Sequence, residues 1–104
     1  MTRQTIEITF SSAMSRARQL DQCAEDMLRL ANSNMETVKS DISMAWQGDS
    51  ASAYIGKMDM TAANIRRTAQ RLQEIASTLR TVATNFRNSE LRAIEIAEQR
   101  SYNL

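Results

Sequence analysis

An alanine recurs at every seventh residue on either side of the chain's midpoint. It stands at Ala17, Ala24 and Ala31 before the middle, and at Ala62, Ala69, Ala76 and Ala83 after it. A seven-residue repeat is the mark of helices that pack along a common seam. Alanine on the seam lets two helix axes come close, toward the short end of the usual range of about 8–10 Å. Little in the sequence interrupts such helices. There is no proline and there are only two glycines, the two residue types that most disfavour a helix interior.

The repeat has a second row. In the first half, Phe10, the three alanines and Val38 occupy heptad position a, and Ala13, Leu20 and Met27 occupy position d. The d row then turns polar at Asn34 and Asp41, and the apolar row moves one residue on, to Met35 and Ile42. A straight helix of 3.6 residues per turn drifts in this sense against a period of 3.5. Met14, Cys23, Leu28, Leu30 and Met44 widen the stripe, with Cys23 read as a small core residue. The expected helix covers about residues 11–44, capped by Thr9, Ser11 or Ser12. Before it, Ile6, Ile8 and Phe10 alternate with Glu7 and Thr9, a pattern that favours an extended lead-in.

In the second half, position a runs Ile55, Ala62, Ala69, Ala76, Ala83, and position d runs Met58, Ile65, Leu72, Leu79, Phe86. Ile75 and Val82 thicken this stripe. The expected second helix covers about residues 50–98, and the patternless end from Gln99 onward is expected to fray. Between the helices, about residues 45–49, lie Trp46, the only tryptophan, and Gly48. Glycine reaches backbone conformations that strain other residues. Asp49, Ser50 and Ser52 offer caps for the next helix.

Setting the helices antiparallel pairs Phe10 with Ala83, Ala17 with Ala76, Ala24 with Ala69, Ala31 with Ala62 and Val38 with Ile55. Every pair has the same midpoint, between Trp46 and Gln47. The heptad phase and the turn thus point independently to one hairpin, a single domain over residues 1–104. Its expected core is Leu20, Ala24, Met27, Ala31, Ala62, Ile65, Ala69, Leu72, Ala76 and Leu79. Two helices touch along one line, which leaves much of so wide a stripe wet. Apolar surface of that extent marks an association site. The fold expected is therefore all-α: an antiparallel helix-turn-helix hairpin, dimerising into a four-helix bundle.

Composition narrows the function. Thirteen basic and twelve acidic residues nearly cancel, so no net field steers the chain to nucleic acid. Arg66, Arg67 and Arg71 make one local basic patch, without interleaved aromatics. With no histidine and one cysteine, a single chain offers no intrachain disulfide, no structural zinc site and no His-based dyad. Carboxylate pairs such as Glu25 and Asp26 have nothing to place them in a cleft. No enzyme and no cofactor is expected. No apolar run approaches the roughly 18 residues of a membrane span, and Met1–Thr5 leads into no long apolar segment, so no cleaved signal peptide is expected.

Trp46-Gln47-Gly48, midway between two heptad helices in a proline-free chain of about a hundred residues, resembles the WXG-100 (ESAT-like) family of type VII secretion. The lead-in Ile6-Glu7-Ile8-Thr9 is similar to the start of many such proteins, so the resemblance covers the whole chain. The family's C-terminal Tyr-x-x-x-Asp/Glu signature is absent: Tyr102 has no acid four residues on, and Tyr54 is followed there by Met58. A looser version fits Phe86 and Glu90, followed by Ala93 and Ala97. Positions four apart on a helix share a face, so Phe86 and Glu90 would set an aromatic anchor beside a charge.

The resemblance implies a small protein secreted without a cleaved signal, a substrate and adaptor exported from the cytoplasm as a folded dimer. Recognition by an FtsK/SpoIIIE-type membrane ATPase would use Trp46 and Gly48 in the turn, with Phe86, Glu90, Ala93 and Ala97 in the C-terminal helix. The partner would be a second copy or a related WXG- or LXG-type protein, with no nucleic acid and no stable membrane insertion. One alternative is a targeting partner that sheathes the helical N-terminal domain of a larger toxin. Another is a non-secreted cytoplasmic coiled-coil structural protein, which needs no Trp-x-Gly turn.

Overall fold

The computed structural model describes residues 1–46 and 48–103; Gln47, at the centre of the expected turn, and Leu104 lie outside the described residues. Those residues are helical almost throughout. Helix α1 runs Arg3–Arg29 and passes through a π-helical turn, Leu30–Asn34, into α2, Met35–Ala45; α3 runs Asp49–Asn103. No strand occurs among the described residues. The helices fall into two compact units: a terminal unit of Met1–Leu20 with Glu74–Leu104, and a bend unit of Asp21–Gln73.

In the terminal unit the lead-in is helix, contrary to the extended reading. The Thr2 hydroxyl accepts the Thr5 N–H at 3.1 Å, and the Ile6 N–H donates to the Thr2 carbonyl at 3.0 Å. Thr2 is thus the N-cap, and Thr9, Ser11 and Ser12 lie inside the helix. Tertiary burial decides the matter: Ile6 is fully buried and Phe10, one turn on, is half-buried, while Ile8 between them is exposed. Ile6 is one more d residue of the same heptad. Ala17, Ala76 and Ala83 are also buried here.

Three contacts run in antiparallel order along this unit. Arg3 pairs with Glu98 at 2.6 Å. The Arg87 Nε–H reaches both oxygens of Glu7, at 2.9 and 3.1 Å. The Arg87 guanidinium also lies 5.3 Å from the centroid of the Phe10 ring, a cation–π distance. The end of α3 extends to Asn103, past the expected stop near residue 98. Arg3 gives the last turns a partner that the sequence pattern does not reveal.

In the bend unit Ala24, Ala31, Ala51, Ala62 and Ala69 are buried. Antiparallel order again follows from cross-contacts: Arg66 to Asn32 at 2.6 Å, and Lys39 to Asp59 at 3.0 Å. The one-residue shift of the apolar row is made here by the π turn and not by gradual drift. The Met35 N–H donates to the Leu30 carbonyl, five residues back, so one extra residue is accommodated in a single turn. Beyond it Met35, Lys39 and Ile42 occupy the covered face. Val38, expected at position a opposite Ile55, is instead 47% exposed. At the π turn the Arg66 guanidinium reaches the Ala31 carbonyl at 3.5 Å from the facing helix. Cys23, expected in the core, is exposed: it stands next to the seam residue Ala24 but on the outer side.

Apart from Ile6, the buried positions of both units are alanines. The larger seam residues Leu20, Met27, Ile65, Leu72 and Leu79 are all half-buried. Alanine closes the seam, and the branched side chains beside it stay partly wet.

Candidate functional site

The bend is built from two helix ends. Trp46 is the C-cap of α2: its N–H donates to the Ile42 carbonyl at 2.8 Å, and its backbone is extended at φ −117°, ψ 140°. Gly48 has φ +108°, in the region where a side chain is strained. A Cβ built there would meet nothing within 4 Å, so the backbone conformation alone calls for glycine. The Ser52 N–H donates to the Gly48 carbonyl at 3.2 Å, which opens α3. Asp49 is therefore the first helical residue and not its cap, and its carboxylate suits the positive end of the helix dipole.

With its backbone so placed, the Trp46 side chain is 55% exposed. Its own chain leaves it about half uncovered. Its ring centroid lies 6.1 Å from that of Tyr54, with the planes inclined by 60°. Tyr54 is itself 49% exposed, and Met44 is more open still. In the sequence Tyr54 stands out only as the start of a Tyr-x-x-x-acid pattern that it fails, with Met58 in place of the acid. The available signal was its place immediately before the seam residue Ile55, on the first turns after the bend.

The C-terminal candidates belong to the terminal unit. Phe86 and Glu90 are half-buried, as are Leu91 and Ile94, whereas Ala93 and Ala97 are exposed. The helix thus brings Phe86 and Glu90 onto a partly covered face and leaves the two alanines outside it. Phe86 lines an open apolar groove with Phe10, Ala13, Leu79, Val82 and Ala83. Val82 in its wall is exposed, as are Ile75 on α3 and Ile8 on α1 nearby.

The ionic contacts are superficial. A hydrogen bond from Arg3 holds the Glu98 carboxyl below the usual carboxylate range. Hydrogen bonds to Asp59 and then to Glu36 hold the Lys39 ammonium above the ordinary lysine value. Of the expected basic patch, Arg66 is turned to Asn32 and the Ala31 carbonyl, and Arg67 to Asn64 at 3.1 Å. Among the described residues no cluster of Cys, Asp and Glu could hold a metal ion, and no helix is long and apolar enough to cross a membrane.

What the molecule offers is therefore surface: an exposed aromatic bend, and an apolar groove with open flanks. Neither the curated proteins nor the solved structures contain a match to the chain. Residues 5–90 match the model of a protein family described as proteins of 100 residues with WXG. That match covers most of the sequence, with Trp46 and Gly48 at the junction of two helical arms, and the chain belongs to the WXG100 family, small helical proteins associated with type VII secretion.

Proposed function

We propose that the protein is a secreted substrate and adaptor of a type VII system, exported as a folded helical dimer. The observation that carries this reading is the exposure of Trp46 beside the positive-φ Gly48. A large apolar ring held half in water by a fixed backbone suits recognition better than packing. Phe86 and Glu90 supply the second part of the recognised surface, with Ala93 and Ala97 beyond them. The secretion ATPase reads the two parts together, and dimerisation brings the bend of one copy to the C-terminal helix of the other. Recognition then requires folding and assembly, so loose chains are refused.

The dimer itself is supported by the wet apolar residues of each unit. Leu20, Leu79, Ile75 and Val82 in the terminal unit, and Met27, Ile65 and Leu72 in the bend unit, are covered only in part by their own chain. A second copy, or a related WXG-type protein, would remove them from water.

The test is export. Trp46→Ala, Phe86→Ala and Glu90→Gln should each raise the cell-retained fraction, while circular dichroism and the solution mass of the purified proteins stay near those of the parent. Normal secretion of a folded, dimeric Trp46→Ala protein would leave the tryptophan without a role in recognition.

A further inference from the structure

Trp46 has a well-defined backbone and, on its own, a free side chain. Its N–H is bonded to Ile42, its φ and ψ are extended, and the chain passes on to Gly48 at φ +108°. These fix the direction of the Cα–Cβ bond. They do not choose among the staggered χ1 wells, and a ring that is 55% exposed has no surrounding core to choose for it.

Tyr54 makes that choice. Its own place is set by α3, where Ala51 three residues earlier is buried and Ile55 and Met58 after it are half-buried. Tyr54 thus stands at the edge of the covered face, on a turn that cannot rotate without exposing Ala51. From there its ring meets the indole at 6.1 Å and 60°, inside the range of tilted aromatic pairs. Both rings remain about half in water, so the contact is not a by-product of a packed core.

We infer that Tyr54 is a positioning residue for Trp46: its ring holds the indole in one rotamer on the open side of the bend, so that the recognising partner meets a preorganised aromatic pair. A ring already held in its bound orientation loses less freedom on binding. The inference rests on the reading of Trp46 as a recognition residue.

Because Trp46 is the only tryptophan, its emission reports on this site alone. Tyr54→Ala should lower the fluorescence anisotropy of Trp46 and raise the cell-retained fraction toward that of Trp46→Ala. Helical content, melting temperature and dimer mass should not change. Tyr54→Phe, which keeps the ring and loses the hydroxyl, should restore both the anisotropy and the export. Anisotropy or export unchanged in Tyr54→Ala would overturn the inference, as would failure of Tyr54→Phe to restore them. The underlying reading fails by a different result, normal export of Trp46→Ala.

Discussion

The alanine seam makes a quantitative claim that one substitution tests. Ala24 is 0% exposed, so its Cβ has no accessible surface to grow into. Replacing it with leucine exchanges a methyl for an isobutyl group at a site where the neighbouring seam positions Ala17 and Ala31 are also buried. The added carbons must either push the helices apart or adopt a strained rotamer, an overpacking cost of about 1–3 kcal/mol. At about 4–8 °C per kcal/mol for a domain of this size, the melting temperature should fall by roughly 4–24 °C. Ala53→Leu is the control. Ala53 is exposed on α3, and surface changes of this kind stay within about 0.5 kcal/mol. Thermal unfolding followed by circular dichroism compares the two, at matched protein concentration because assembly shifts the midpoint. Equal stability of Ala24→Leu and Ala53→Leu would refute the close approach along the alanine row.

Two further outcomes are expected. Leu79→Asp places a charge on a half-buried position next to exposed Ile75 and Val82; water still reaches it in one hairpin, so the cost falls on assembly. Sedimentation should show a monomer that keeps most of its helical signal, and a persistent dimer would sink the bundle reading. The Arg3–Glu98 pair should confer an acid sensitivity on the terminal unit. The folded pKa of Glu98 lies below the unfolded one, so its contribution is complete above the ordinary glutamate value and is lost as the pH falls through the folded value. Glu98→Gln should remove that part of the pH dependence, read as hydrogen exchange in the first turns of α1; an unchanged pH profile would contradict it.

The alanine row could be read because burial of a small residue at one phase of a helix leaves a strict seven-residue mark. The start of α1 could be misread because Ile6, Ile8 and Phe10 satisfy two periods at once. Ile6 and Phe10 are spaced for a strand and equally for one helical turn, and only Ile8, exposed, separates the two. The cap at Thr2 carries no acid three residues on, so the usual capping box is missing. The π turn lay beyond the sequence for a stronger reason. Its register step depends on the surrounding packing, and its carbonyl at Ala31 is met by Arg66, thirty-five residues away. In the bend, Gly48 announced itself by its rarity. The contact of Tyr54 with Trp46 did not, because it joins two helix ends whose angle no local pattern records.

The π turn also means that the chain carries one residue more than an unbroken helix would need between Ala31 and the bend. That surplus is a place where length can change. Excising a residue from Leu30–Asn34 would let ordinary α-helix run through with Met35, Lys39 and Ile42 still on the covered face; winding the same five residues as α-helix with none removed would instead rotate everything from Met35 to Trp46 by about 100° relative to Ala24 and Ala31. Val38 would swing in, Lys39 would leave Asp59, and the indole would face a different way with the fold of both arms intact. The aim of the bend thus depends on taking up that one residue within the π turn, separately from the seam that holds the helices together.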